Sequence, residues 1–396
     1  MREDLVRSVH VGLLAIGVVS LVGFQAIAQQ RPPGAIPVGG LTPAQQIAFN
    51  EGSRTFSKRY EIADGLGPVF NDESCSDCHR NGGGTNQTVR RFGRVDRGVF
   101  DPLTELGGSL IQSRGIRSIT TLDGTHDFVG ERTPPDATVT TLRRAHAVQG
   151  LGLVDAVADE AWRALAQAEL QADPSTAGRV NVMLDLSTGR AAVGKFGWKA
   201  QVPTLTQFAG DALLNEIGIT NPLFRDEVCP QGDCRALDFN PAPAMNDDGR
   251  DVEDLANFMT MLAPPPRGPI TDDAIAGEQV FMQIGCGTCH RPTLRSGPSP
   301  VGALNGVDFH PYSDFLLHDM GSLGDGIVQG QATGLEMRTQ PLWGLRNTNR
   351  FMHDAATNSL EEAIRRHDGQ ARAARDRFIE LTGGQLTQLL AFLRSL

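Results

Sequence analysis

The motif Cys-x-x-Cys-His occurs twice in this chain, at residues 75–79 and 286–290, and constrains the fold more than any other feature. The side chains that can bind a metal or haem are Cys75, Cys78 and His79 in the first copy, and Cys286, Cys289 and His290 in the second. Such cysteines can bind zinc, form a redox disulfide or add to the vinyl groups of haem. The adjoining histidine is typical of c-type haem attachment, where it becomes the proximal iron ligand. Because structural zinc sites bring their pairs about 15 to 20 residues apart, these distant pairs predict two covalently bound c-type haems.

The first 28 residues have the pattern of an export signal. Arg2 and Arg7 precede an apolar run over residues 11–24, and Ala26 and Ala28 form a small-x-small cleavage site. A membrane anchor is the alternative, but the apolar run is shorter than the ~20 residues that a spanning helix needs. We expect a signal peptide over residues 1–28 and a periplasmic mature protein without a membrane span.

Length and charge bound the architecture and the partners. With 396 residues the chain exceeds the size at which single hydrophobic cores stop growing, so two domains are expected. The net charge of −10 argues against nucleic acid as a partner. An acidic surface favours encounter with a basic electron donor such as a small cytochrome c, although solubility alone also explains this charge.

A weak internal repeat supports the division into two domains. Residues 52–60 precede the first motif as residues 277–286 lead into the second, each as a short helix with a buried phenylalanine. Residues 251–266 and 383–396 both have the pattern of an amphipathic closing helix. This is the plan of a cytochrome c domain, doubled. We therefore predict a mainly α fold with two cytochrome c-like domains, over residues 29–266 and 267–396.

The first half is longer than a minimal cytochrome. Residues 159–170 have a helical pattern, and residues 179–197 predict a small β-hairpin with its turn at 187–189. Residues 80–98 are rich in glycine and arginine, which predicts a loop, either solvated or close to the haem propionates. We expect the first domain to be enlarged by loops and this hairpin.

The two remaining cysteines, Cys229 and Cys234, lie in a short segment with proline and glycine. In an oxidising compartment they can close a short disulfide. Reactive thiols are the alternative, but no base or positive charge lies beside them in sequence to activate them.

The sixth ligand of each iron decides function, because a saturated haem transfers electrons whereas an open one can bind peroxide. In the second half the candidates are nearly tied: His310, His318, Met320, His353 and His367. In the first half only His126 and His146 follow the motif, both far beyond it.

Several longer segments carry a resemblance to a known family. They read DGLGPVFNDESCSDCH, GKFGWKAQVPTLTQFAGDALLNEIGIT, YSDFLLHDMG and PLWGLRNTNRFMHDAATNSLEEAIRRHDGQA. With the closing helix they make the chain resemble the di-haem c-type oxidoreductases described as peroxidases or "thiol oxidoreductases". These are related to bacterial di-haem cytochrome c peroxidase and to the di-haem enzyme that matures methylamine dehydrogenase. The resemblance covers most of the mature chain.

The resemblance implies a catalytic set at the first haem. It assigns Trp198 to a position between the haems and Gln207 and Glu216 to the open face of the first haem. Glu216 would then transfer protons during peroxide cleavage, as a positioned carboxylate can. The alternative is that Gln207 and Glu216 are solvated helix positions and Trp198 a core aromatic.

In the second half the resemblance favours His367 as the distal ligand, where the classical peroxidases have methionine. Met320 is the alternative ligand, His318 would lie near a propionate, and His353 would support the fold. Because the displaceable histidine of the peroxidases is missing, the first haem is either permanently open or bound by His126. The relatives also hold a calcium ion between the haems through carbonyl groups and water.

These observations predict an oxidoreductase that reduces peroxide with electrons from a small donor protein. The alternatives are peroxide-dependent oxidation of a protein or organic substrate at the first haem, and a plain electron carrier with both irons six-coordinate.

Overall fold

The computed structural model describes residues 35–122, 124–243 and 245–396, so the predicted signal peptide lies outside the described residues. Within them the helices are α1 (Pro43–Ser57), α2 (Cys75–Cys78), α3 (Leu151–Asp155), α4 (Asp159–Ala172), α5 (Leu205–Ala212), α6 (Arg250–Met261), α7 (Asp272–Gln283), α8 (Leu360–Arg365), α9 (Arg372–Ile379) and α10 (Gly383–Ser395). No helix in the described ranges is long and apolar enough to cross a membrane.

Short strands lie between the helices and pair in small antiparallel sheets. They are β1 (Val69–Phe70), β2 (Thr88–Asp96), β3 (Val99–Asp101), β4 (Arg114–Gly115), β5 (Arg117–Thr121), β6 (Gly124–Phe128), β7 (Val139–Arg144), β8 (Asn181–Asp185), β9 (Arg190–Gly194), β10 (Leu294–Arg295), β11 (Asp308–Phe309), β12 (Leu317–Asp319) and β13 (Glu336–Arg338). One sheet has three strands in the order β3-β2-β7, and the others are the pairs β1-β4, β5-β6, β8-β9, β10-β11 and β12-β13.

The internal repeat is present as two crossed helix pairs. Helix α1, which precedes the first motif, packs against α6. Helix α7, which precedes the second motif, packs against α10. A glycine lies at each crossing, where the two helices approach too closely for a side chain. A Cβ atom on Gly52 would overlap the carbonyl oxygen of Asp254, and one on Gly277 would overlap that of Gln388. Four residues after each glycine comes the predicted buried phenylalanine, Phe56 or Phe281. The four predicted helices are therefore confirmed.

The middle of the first half contains more strand than the sequence predicted. Helix α4 and the hairpin β8-β9 are confirmed, but about half of the predicted loop over residues 80–98 is the strand β2. This strand pairs on both sides, with β3 and β7, and it buries Phe92 completely. Two ladders of backbone hydrogen bonds outweigh the low strand propensity of a segment rich in glycine and arginine.

The largest apolar core draws residues from both predicted domains. Phe49, Trp162 and Phe258 from the first half share it with Phe315 and Trp343 from the second. A smaller core lies between α7 and α10, within the second half. The chain between α6 and α7 contains the three prolines at 264–266, and the domain boundary there stays a prediction.

Candidate active site

Each Cys-x-x-Cys-His motif lines a cavity of its own. The first motif forms α2 and the following residue, and the second begins with the helical turn Cys286–Thr288. We call the spaces that they line the first cavity and the second cavity. None of the four motif cysteines forms a disulfide bond. Burial raises the pKa of Cys75 to about 12, so this thiol is not an activated nucleophile by itself.

Both proximal histidines are held in the tautomer that an iron ligand needs. Nδ1 of His79 donates to the carbonyl oxygen of His146 at 2.6 Å, and Nδ1 of His290 donates to that of Tyr312 at 3.0 Å. A carbonyl oxygen only accepts, so Nε2 of each ring keeps its lone pair. Burial lowers the pKa of both rings, that of His290 to about 4. Neutral imidazoles beside paired thiols fit the attachment of c-type haem.

The repeat extends to the surroundings of these histidines. The ring centres of Phe56 and His79 lie 6.2 Å apart, and those of Phe281 and His290 lie 6.3 Å apart. Each phenylalanine also packs on the phenylalanine of its crossing helix, Phe258 or Phe392. The two halves therefore build the proximal side of their cavities in the same way.

The second cavity has a second imidazole facing His290. The ring centres of His290 and His367 lie 6.4 Å apart, and Nδ1 of His367 donates to the carbonyl oxygen of Ala363 at 2.9 Å. Two metal–imidazole bonds of about 2 Å each would place the ring centres about 6 Å apart. The pair can therefore hold one iron between its Nε2 atoms. Met320 lines the same cavity.

The remaining histidines of the second half are engaged elsewhere. His310 is exposed and bonds to the hydroxyl of Thr293 at 3.0 Å. His318 lines the second cavity, with Nε2 at 2.9 Å from Asp314 and Nδ1 at 3.6 Å from the sulfur of Cys289. Burial alone would lower the pKa of His318, but Asp314 raises it well above its usual value. Both ring nitrogens have partners, which disfavours His318 as an iron ligand.

Among the described residues, one group of side chains is close enough together to hold a separate metal ion. It consists of Cys289, Asp314 and His318, whose ligand atoms lie within 4.8 Å of one another. A thioether bond to haem would remove Cys289 from this set, because the thiolate is the form that binds metals. The group then reduces to the hydrogen-bonded pair Asp314 and His318.

The first cavity is lined by a carboxylate, that of Glu216. Glu216 lies on a π-helical turn, Leu213–Ile217, that continues α5. Its Oε2 accepts from the side chain of Asn71 at 2.8 Å, and its carbonyl oxygen accepts from the backbone of Asn71, also at 2.8 Å. Glu216 is thereby fixed to the segment that leads into the first motif.

Asp211 and Arg91 also line the first cavity, and the sequence did not single them out. Burial raises the pKa of Glu216, and the charge of Asp211 adds to the effect, whereas Asn71 and Arg91 oppose it. Burial also raises the pKa of Asp211 itself. The only signal for Arg91 was its place in the segment rich in arginine, which was expected to be a loop.

Gln207 does not lie on this wall, contrary to the expectation from the sequence. Its Oε1 accepts from the backbone of Leu186, in the turn of the β8-β9 hairpin, at 2.9 Å. The residues of this region that face the cavity include Phe208, Ala212 and Glu216, spaced four apart. Gln207 is one residue out of phase with them, about 100° around the helix.

Trp198 lines both cavities. Its Nε1 donates to the carbonyl oxygen of Arg144 at 3.0 Å, and Arg144 also lines both cavities. The rings of His146 and His353 contact it, with centres at 4.5 Å and 6.1 Å. The structure therefore places Trp198 between the two cavities, as the resemblance implied.

Neither histidine considered for the first haem is placed as a distal ligand. His126 stacks on Phe239, with ring centres 3.4 Å apart, and is not among the residues that line the first cavity. His146 lines it, but its carbonyl oxygen accepts from His79 and its ring packs on Trp198. Both contacts place it on the proximal side.

The other two cysteines lie away from both cavities. Cys229 and Cys234 form a disulfide bond, the pairing that the sequence suggested. Neither residue lines the first or the second cavity.

Comparisons with known proteins agree with this arrangement. The model of the family described as "Di-haem oxidoreductase, putative peroxidase" matches residues 130–396. No curated protein has a sequence that matches the chain.

Several solved structures match the chain at low sequence identity. A MauG-like protein associated with microbial copper homeostasis is 16% identical, with 94% of each chain covered and a TM-score of 0.40. The di-haem peroxidase BthA from Burkholderia thailandensis is 14% identical, with 93% of this chain and 89% of that chain covered and a TM-score of 0.40. Hydrazine synthase of Kuenenia stuttgartiensis is 12% identical over 100% of both chains, with a TM-score of 0.38.

Proposed function

Since the chain belongs to the family of di-haem oxidoreductases, we propose that it reduces hydrogen peroxide at the first cavity with electrons that arrive through the second. Cys75, Cys78 and His79 would hold one haem in the first cavity. Cys286, Cys289 and His290 would hold a second haem in the second cavity. Each haem would supply redox-active iron.

The observation that carries this proposal is the difference between two otherwise repeated cavities. His367 faces His290 across the second cavity at a distance that suits one iron between them. The first cavity is lined by the carboxylates of Glu216 and Asp211, and its second histidine, His146, packs on Trp198 and accepts from His79 through its carbonyl oxygen. A closed haem stores and passes electrons, whereas an open one admits a substrate. The second site therefore serves electron transfer and the first serves chemistry.

Glu216 handles the protons of the reaction. Reduction of one hydrogen peroxide to two waters consumes two electrons and two protons. A carboxylate at the cavity wall can take the proton from one peroxide oxygen and return it to the leaving oxygen. Its raised pKa, caused mainly by burial, makes the carboxylate a stronger base for the first of these two steps. Asn71 holds the carboxylate in place through Oε2.

Electrons pass between the cavities by way of Trp198, whose ring is shared by both linings. Their source is a small electron-donor protein of the cytochrome c kind, whose basic surface would suit the net charge of −10. The reaction takes place in the periplasm, after cleavage of the signal over residues 1–28. The resemblance also implies a calcium ion between the haems, and a loss of stability on chelation of the purified protein would show that such an ion is present.

Low-temperature electron paramagnetic resonance of the oxidised protein, before and after stoichiometric peroxide, tests the proposal. We expect one high-spin and one low-spin ferric signal, with the high-spin signal lost on addition of peroxide. Two low-spin signals that do not respond to peroxide, in both the oxidised and the half-reduced protein, would instead identify an electron carrier.

A further inference from the structure

Lys199, the residue after Trp198, is fully buried with its charged group surrounded by oxygen atoms. Its Nζ donates to a carboxylate oxygen of Asp325 at 2.9 Å and to the carbonyl oxygens of Thr333 at 2.9 Å and Glu336 at 2.5 Å. The carbonyl oxygen of Gly334 lies at 3.5 Å. An ammonium group has three donors, so the first three oxygens satisfy it completely.

The carboxylate in this group is held by a second cation. Asp325 also accepts a hydrogen bond from Arg143, whose Nε lies 2.7 Å from Oδ2 of Asp325. The side chains of Lys199 and Asp325 are 0% exposed and that of Arg143 is 4% exposed. Burial alone would raise the pKa of Asp325, but Arg143 and Lys199 keep it below its usual value. Burial lowers the pKa of Lys199. The ammonium form is nevertheless favoured here, because the three oxygens around Nζ only accept hydrogen bonds and therefore need three N–H donors.

These atoms form a cation site by their chemistry. Backbone carbonyls together with a carboxylate are the ligands that hard cations take in proteins, and rings of carbonyls also bind potassium. Because Arg143 already pairs with Asp325, a singly charged cation leaves the smallest excess of positive charge in the cage. A divalent ion would place a second extra charge beside Arg143.

The cage joins the two halves of the chain at the point where the haem cavities meet. Lys199 and Arg143 come from the first half, and Asp325 with residues 333–336 comes from the second. The backbone of Arg338 donates to the carbonyl oxygen of Trp198 at 2.9 Å, so the same segment also fixes the tryptophan. The position of Trp198 depends on this junction.

We propose that the ammonium group of Lys199 is the resident cation of this cage. It fixes the junction between the two cavities without a metal ion. Removal of the side chain converts the cage into a binding site for a monovalent cation of similar size, such as potassium or ammonium. The proposal concerns a junction that exists whether or not the protein reduces peroxide, so its test does not use activity.

The variants Lys199→Ala and Lys199→Met separate charge from space. Alanine leaves room for an ion, whereas methionine fills the same channel without a charge. In buffers whose only cation is tetramethylammonium, we expect both holoproteins to unfold about 5 °C or more below the wild type, because a buried charge pair has lost one partner. Potassium or ammonium chloride should restore at least half of the loss in Lys199→Ala and none in Lys199→Met. The wild type should respond neither to potassium nor to a chelator.

Three results would overturn the proposal. The first is a Lys199→Ala protein that is as stable as the wild type in tetramethylammonium. The second is equal recovery of both variants in potassium, and the third is recovery of Lys199→Ala with calcium alone. A loss of wild-type stability on chelation would also contradict it, because the junction would then contain a metal ion.

A measurement without a change at Lys199 covers the case in which its variants do not fold. The chain has three lysines, Lys58, Lys195 and Lys199. In a Lys195→Arg protein labelled with ¹⁵N-lysine, Lys199 is the one fully buried amine. We expect a slowly exchanging ¹⁵NH₃⁺ resonance that persists to alkaline pH. A neutral amine, or an ammonium in fast exchange with water, would exclude a resident cation.

Discussion

The replacement Glu216→Gln tests the proton-transfer role directly, because it changes the chemistry of the side chain and little else. Glutamine has the same size, and its amide oxygen can accept the bond that Asn71 donates to Glu216 at 2.8 Å. The backbone bond between these residues is unaffected. An amide cannot carry the proton of peroxide. We therefore expect both haems to stay attached and peroxide turnover to fall about two to four orders of magnitude, the usual contribution of a positioned acid–base group.

The assay is steady-state peroxide reduction with a reduced small cytochrome as donor, recorded over a range of pH. Asp211→Asn is the matched variant, because it removes a neighbouring carboxylate from the same wall. The charge of Asp211 helps to raise the pKa of Glu216, so its removal should lower that pKa. A base acts only when deprotonated, so the acidic limb of the pH profile should move to lower pH while the plateau falls less than in Glu216→Gln.

Two outcomes would refute this reasoning. If Glu216→Gln keeps turnover within about tenfold of the wild type, Glu216 does not transfer the rate-limiting proton. If Asp211→Asn loses more activity than Glu216→Gln, Asp211 is the base and Glu216 only modulates it. Paramagnetic resonance spectra of both variants serve as the control, because an unchanged pair of ferric signals shows that the haem sites are intact.

Three further predictions follow from the geometry. His367→Ala should convert the low-spin ferric signal of the second haem to high spin, whereas Met320→Leu should leave it unchanged; the opposite pattern would make Met320 the ligand. Gly277→Ala should lower the free energy of unfolding by about 1–3 kcal/mol in a denaturant titration, because the added methyl overlaps α10, whereas Gly384→Ala, in open space on the same helix pair, should not destabilise. Burial raises the pKa of Glu227 to about 7, so the wild type should lose stability as pH rises from about 4.5 to about 7, and melting curves of Glu227→Gln should show a smaller loss.

The features that the sequence predicted well are local. Two cysteines and the histidine beside them predict a haem site without reference to the rest of the chain, and each such group lines a cavity. The repeated spacing of Gly52 and Phe56, and of Gly277 and Phe281, reflects one helix that must cross another closely and bury one ring. Such patterns can be recognised in the sequence because the residues that form them lie within one or two turns of the same helix.

The features that the sequence did not predict depend on contacts between distant segments. Arg91 reaches the first cavity because β2 pairs with β3 and β7, and nothing in the local composition predicts that sheet. The cage around Lys199 uses residues more than a hundred positions away, and its ligands are mostly carbonyl groups that any residue could supply. Sequence patterns do not record such ligands.

Gln207 shows why a correct resemblance can still misplace a side chain. It precedes Glu216 by nine residues, and nine residues of regular α-helix turn through about 900°, which leaves the two side chains on opposite faces. The wider π-helical turn at Leu213–Ile217 reduces that difference only in part. Glu216 therefore reaches the wall that Phe208 and Ala212 share, and Gln207 faces Leu186.

The two halves of the chain share the same arrangement beside their cavities but differ in one lining residue. Each has a crossed helix pair with a glycine at the contact, a phenylalanine beside the proximal histidine, and a carbonyl that fixes its Nδ1. What differs is a residue that lines each cavity: His367, just after α8, lines the second, and Glu216, in the turn after α5, lines the first. A neutral imidazole can ligate iron, whereas a carboxylate of raised pKa can exchange a proton with a substrate. The division of labour that we propose between the cavities therefore rests on these two residues, which lie outside both Cys-x-x-Cys-His motifs.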